Sequence, residues 1–264
     1  TAENISNYIP FKGKTIKHPA GFDVSLDRPL DFYGVTDHGT FLGQVGEAAT
    51  PGTPYYDAPS SAQVNDINSP ENLNISTIPR RTEAFGGFLA NTVTALKERK
   101  LDLGYVDSVS RRAWADTVAA AQRHNDPGNF TTFIAYEYTA STADMGNLHR
   151  NVIFKGNSNR IPSVPYSRAN SNDPEGLWRW MDRLREDGIE SLAIPHNSNG
   201  SDGFMFALKD SFGQPFTQEY ADLRMRNEPI VEMTQVKGTS DTHPALSKND
   251  EWADFEIMPF KVAT

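Results

Sequence analysis

A chain of 264 residues with a formal charge of -9 and no cysteine forms no disulfide, zinc–thiolate site or cysteine nucleophile, and its acidic balance excludes broad nucleic-acid binding. Its Lys/Arg runs are no longer than pairs such as Arg80-Arg81 and Arg111-Arg112, so an anion would have to be met by a local basic pocket. With 38% hydrophobic and 22% charged residues the composition is globular, residues 1–264 suit one large domain, and no apolar run approaches the roughly 20 residues of a membrane span.

The chain opens without Met in the irregular stretch "TAENISNYIPFKGK", which reads as a processed or truncated piece. "LDFYGVTDH" reads as a buried strand from Leu30 to Thr36. Residues 50–80 are rich in Pro, Ser, Asn and Asp, an irregular insertion expected to act as a cap or lid rather than a linker. "TEAFGGFLANTVTALKERK" predicts a helix weakened at Gly86-Gly87, and "DSVSRRAWADTVAAAQRHND" a stronger one ended by "DPG" at 126–128. "FTTFIAYEYTAST" predicts a strand ending near Glu137, and "HRNVIFKG" another from about His149 to Lys155. Asp173 and Pro174 suit the N-cap and first turn of "PEGLWRWMDRLREDG", with Leu177, Trp180, Met181 and Leu184 as its apolar face and Gly188 as its stop. "IESLAIPHNSNGSDG" predicts a short strand running into a loop, "TQEYADLRMRNE" a helix and "PIVEMTQVKG" a strand. This alternation predicts an α/β fold with a mainly parallel sheet, either a barrel or open.

The polar outliers gather at strand ends. Asp37 and His38 follow the first strand, Glu137 ends the second and His196 follows "SLAIP". In parallel α/β folds such ends share one face. His149 begins its strand, so it joins them only if that strand runs antiparallel or the preceding loop curls inward. Imidazoles with carboxylates suit Zn²⁺, Mn²⁺ or Fe²⁺, and Glu137 could bridge two ions. Each residue alone also has a plain structural reading, such as an Asx-turn at Asp37. His18 and His124 are read as structural, the latter in a helix's last turn, where a cation suits the dipole.

"VTDH" at 35–38, Glu137 after an apolar strand, His149 and "IPHN" at 194–197 together resemble the PHP (polymerase and histidinol phosphatase) superfamily. The likeness is closest to a poorly characterised bacterial branch catalogued as a domain of unknown function, and spans roughly Lys17 to Ile257. It implies a distorted β/α barrel with a centre of two or three metal ions and phosphoester hydrolysis. On that resemblance His38 is a ligand and Asp37 a ligand or the group orienting it. Glu137 bridges metals, and His149 and His196 each complete an ion's sphere. Arg150 and Asn197, adjacent to two ligands, would be candidates for holding substrate oxygens, Arg being suited to bidentate contact with phosphate or sulfate; the alternative for Arg150 is a salt bridge on its strand.

Superfamily members begin with a strand ending in His-x-His, which is absent here; the six histidines stand at 18, 38, 124, 149, 196 and 243. The barrel is therefore expected to be incomplete in this chain, with the missing segments lost by truncation or present as separate chains after cleavage, natural loss being the third and less favoured alternative. "SDTHP" at 240–244 has the spacing of the family's terminal Asp-x-His pair. Asp241 and His243 are either that metal motif or a substrate-side or structural pair. The expected activity is metal-dependent hydrolysis of a small anionic ester, a phosphoester first. The alternatives are a non-catalytic binding module with an incomplete metal site, or hydrolysis of sulfate esters, amides or lactones. The lack of cysteine leaves the compartment open; a bacterial periplasmic or secreted protein is expected.

Overall fold

The computed structural model describes residues 8–17, 22–67, 69–72, 74–142, 146–156, 158–235, 238–240, 243–245, 247–254 and 257. Two-residue strands β1 (Ile16–Lys17) and β2 (Asp23–Val24) pair antiparallel. There follow β3 (Phe32–Gly34), a short helix α1 (Gln44–Ala48), and two long helices, α2 (Ile78–Lys97) and α3 (Leu103–His124). Next come β4 (Thr131–Tyr138), β5 (Arg150–Phe154), α4 (Pro174–Glu186), β6 (Ser191–Pro195) and α5 (Gln218–Asn227). A small antiparallel pair, β7 (Thr234–Gln235) and β8 (Gly238–Thr239), lies beyond them. No helix among the described residues is long and apolar enough to cross a membrane.

The principal sheet has the order β3-β4-β5-β6. It is α/β as expected, but mixed rather than mainly parallel: β3 runs parallel to β4, and β5 antiparallel to β6. It is also open, and no closed barrel forms among the described residues. Side-chain alternation along a strand is the same whichever way its neighbour runs, so the direction of β5 was not readable from its residues.

The chain divides into two compact units, and the boundary falls inside β4. One comprises Thr1–Val35, Phe41–Ile134 and Asn157–Val164. Its larger apolar cluster joins Ala48, Tyr55, Val64, Phe88 and Val109. The 50–80 stretch contributes Tyr55 and Val64 to that cluster, while most of its other described residues are exposed or half-buried. It folds as short 3₁₀ turns at Pro59–Val64, Pro70–Asn72 and Ile75–Thr77, with Tyr55 and Val64 fully buried. Helix α2 begins inside that stretch and runs through Gly86-Gly87. Burial of Phe88, Thr92 and Ala95 outweighs the weak propensity of the glycines. Helix α3 begins earlier than its repeat suggested, because the Asp102 side chain caps it by accepting from the Gly104 amide at 2.9 Å.

The second unit comprises Thr36–Thr40, Ala135–Gly156 and Pro165–Thr264. Residues 135–138 of β4 are buried throughout, as suits a strand covered on both faces. Helix α4 starts at Pro174 after Asp173, as expected, although the Asp173 side chain makes no capping bond. It buries Leu177, Trp178 and Met181, with Trp178 rather than Trp180 in the core. Gly188 stops it in a left-handed conformation, φ 74°. The strand expected over "PIVEMTQVKG" is reduced to β7, and Ile230 and Met233 lie exposed before it.

Candidate metal centre

The site lies within the second unit. Strand β4 delivers Glu137 at its buried end. Strands β5 and β6 are antiparallel, with Arg150 opposite Pro195. His149, just before β5, and His196, just after β6, therefore emerge at the same end of the pair. This is the condition under which a residue at the start of a strand joins residues at the ends of others.

The segment 36–40 is brought beside β4 by a parallel bridge between His38 and Glu137. The Glu137 amide donates to the Asp37 carbonyl at 2.9 Å, and the Gly39 amide donates to the Glu137 carbonyl at 2.8 Å. Gly39 permits that approach: a Cβ there would stand 3.0 Å from the Tyr136 ring and 3.1 Å from the Glu137 carbonyl.

Glu137 is the hub. Its Oε1 lies 2.9 Å from His196 Nε2 and 3.2 Å from His149 Nδ1. Its Oε2 accepts from His38 Nδ1 and from the Thr139 hydroxyl. The carboxylate thus faces two imidazoles with one oxygen and a third with the other. The rings of His149 and His196 lie 6.0 Å apart, and those of His38 and His149 6.1 Å. Burial alone would raise the Glu137 carboxyl, but hydrogen bonds from His149, His196 and His38 outweigh it and hold the group well below the usual carboxylate range.

Donor atoms of Glu137, His149 and His196 all lie within 4.8 Å of one another, close enough to share one cation. Two imidazoles and a carboxylate are a donor set that suits Zn²⁺ and its first-row neighbours. Two further features fit a polar ligand nearby. His196 Nδ1 is buried without a hydrogen-bond partner, and so are both polar atoms of the fully buried Asn197 side chain. Such atoms cost free energy unless something satisfies them.

The remaining sequence candidates separate. His38 is exposed and stands outside the three-residue group, touching it through Glu137 Oε2. Asp37 is exposed and reaches the site through its backbone carbonyl. His243 is exposed, and its Nδ1 accepts from the Ala245 amide at 3.1 Å, a local turn contact. Asp241 lies outside the described residues.

Arg150 departs from expectation. It is 1% exposed, and its Nε donates to Glu228 Oε1 at 2.7 Å while Nη1 donates to the Leu148 carbonyl. A guanidinium committed to a buried carboxylate is not available to grip substrate oxygens.

Two residues of the site's surroundings escaped the sequence reading. Glu228 ends α5, and Gln235 on β7 donates to the His196 carbonyl. The signal for Glu228 was an acid at a helix C-terminus, where a cation is favoured. Gln235 carried none.

A family model matches residues 2–264, and its description is a protein family of unknown function, DUF3604. The chain belongs to that family. No curated protein and no solved structure matches the chain.

Proposed function

We propose that this DUF3604 chain carries the centre of a metal-dependent hydrolase acting on a small anionic ester, with phosphoesters first. The observation that carries the reading is the convergence of Glu137, His149 and His196 from three separate strand ends onto one point. The likeness of the same residues to the PHP superfamily supports both the chemistry and the substrate class.

Glu137, His149 and His196 would hold one ion, and His38 on the other carboxylate oxygen suits Glu137 to bridging a second. A bound divalent ion would supply Lewis acidity and lower the pKa of water so that hydroxide is available near neutral pH. The chain's own residues do the rest. Glu137 stays ionised, facing His149 and His196 with Oε1 and His38 with Oε2. Thr139 holds the Glu137 carboxylate by donating to Oε2. Asn197, buried and with both amide atoms unpartnered, would orient a substrate oxygen. Arg150 takes no part in binding the substrate.

The test is elemental analysis of the full-length protein followed by hydrolysis of aryl phosphates, aryl sulfates, amides and lactones. Bound Zn, Mn or Fe with turnover of the phosphates is expected. Full metal occupancy with no turnover on any ester overturns the catalytic reading and leaves a binding module. Turnover restricted to sulfates, amides or lactones would move the substrate class.

A further inference from the structure

We infer that Arg150, clamped by Glu228, is a positioning residue for His149, and that the pair tunes the affinity of the site for its ion. The inference rests on the metal-centre reading above.

Arg150 follows His149 directly, and its guanidinium turns back to hold the carbonyl of Leu148, the residue before it. One side chain thus grips the peptide on the far side of His149, while its own backbone is registered against Pro195 in the β5–β6 ladder. The two peptides flanking the imidazole are tied together, which narrows the directions the ring can take.

The grip is anchored from elsewhere in the unit. Glu228 Oε1 accepts from Arg150 Nε at 2.7 Å and from Trp178 Nε1 at 2.8 Å, and its Oε2 accepts from Arg224 Nε at 3.0 Å. The Arg150 and Glu228 side chains are 1% and 2% exposed. An acid at the C-terminus of α5 meets an unfavourable dipole, and burying it unpaired is costly. Its place is therefore tied to Arg150, and α4, α5 and β5 are locked to the backbone at His149.

His196 is held in a parallel way. Gln235 donates to its carbonyl, and its amide lies 3.5 Å from the His149 carbonyl. Each histidine of the triad therefore has a backbone tether from a side chain that is not itself a ligand candidate. Partners that orient metal-binding side chains commonly change metal affinity about 10- to 100-fold when lost.

The experiment compares full-length wild type with Arg150→Lys, Gln235→Met and Asp182→Asn. Lysine keeps the charge at 150 but lacks the planar fork whose Nε and Nη1 reach Glu228 and the Leu148 carbonyl in fixed directions. Asp182 pairs with Arg185 and Arg226 and accepts from Asn227 beside Glu228, so its variant loosens α4 against α5 while leaving the Arg150 grip on Glu228 and Leu148 in place. Zn²⁺ and Mn²⁺ affinity is read by chelator competition, and thermal midpoints are read on the metal-free proteins. Arg150→Lys is expected to weaken metal binding about tenfold or more, and Gln235→Met in the same direction. Asp182→Asn should shift only the thermal midpoint.

Metal affinity within twofold of wild type in Arg150→Lys would overturn the inference, whatever its stability. If wild type itself binds neither ion, the metal-centre reading falls by that measurement. The ring of His149 then decides positioning alone, by long-range ¹H–¹⁵N correlation spectra of the metal-free proteins. One sharp His149 spin system that broadens in Arg150→Lys but not in Asp182→Asn supports the tether; spectra unchanged by Arg150→Lys overturn it.

Discussion

Glu137 Oε1 lies 2.9 Å from Nε2 of His196, although 59 residues separate them. The same oxygen lies 3.2 Å from Nδ1 of His149. Two imidazoles on one buried carboxylate oxygen form an arrangement that three neighbouring strand ends produce and that no local stretch of chain could. Removing one member should therefore act on the whole group. His149→Ala and His196→Ala are each expected to abolish stoichiometric Zn²⁺ or Mn²⁺ binding by elemental analysis. His243→Ala is expected to leave it unchanged, since among the described residues the His243 ring accepts from the Ala245 amide and stands outside the three-residue group. Loss of binding in His243→Ala with retention in His196→Ala would reverse the assignment.

The ion pair of Arg150 and Glu228 makes a separate prediction about stability. Arg150→Met leaves the Glu228 carboxylate buried without its closest cation, with Arg224 alone remaining. Breaking a buried pair from one side typically costs about 3–5 kcal/mol. Urea unfolding at neutral pH should show a loss of that size. The double variant Arg150→Met with Glu228→Leu should recover much of it, because the stranded charge is gone.

Gly43 tests backbone and packing together. It precedes α1 with φ 77°, and a Cβ there would lie 2.6 Å from the Ala113 Cβ on α3. Gly43→Ala must both adopt a conformation that L residues disfavour and push the helices apart. A loss of roughly 1–3 kcal/mol is expected in denaturant unfolding. A neutral result would mean that α1 and α3 do not pack as described.

Tyr55 carries a pH dependence. Burial first, then the neighbouring Tyr105 and Glu47, push its hydroxyl up to about 12 from an ordinary value of 10.0. The folded-state value is raised, so the stabilisation is fully present below 10 and is lost as pH rises toward 12. Wild type should lose unfolding free energy across that window. Tyr55→Phe should lose less, and at pH 7 it should be neutral or stabilising, because the Tyr55 hydroxyl is buried without a partner. Equal alkaline slopes in both proteins would count against the assignment.

The sequence by itself determined which residue types end the strands. "VTDH", the Glu137 strand, His149 and "IPHN" were legible because apolar runs that stop in acids and imidazoles are uncommon, and each such stop is a local feature. It also determined the α4 start at Asp173-Pro174 and its stop at Gly188, since caps act within a turn. The tertiary structure alone decided the direction of β5 against β6, and with it the meeting of His149 and His196. It alone decided between the two readings of Arg150, committing it to a buried ion pair, and drew Tyr55 and Val64 of the 50–80 stretch into the core of their own unit. The reason is the same in each case. Strand direction, the partner of a charge and the burial of a Pro-rich stretch depend on groups far away in the chain, and local pattern carries no information about which distant group arrives.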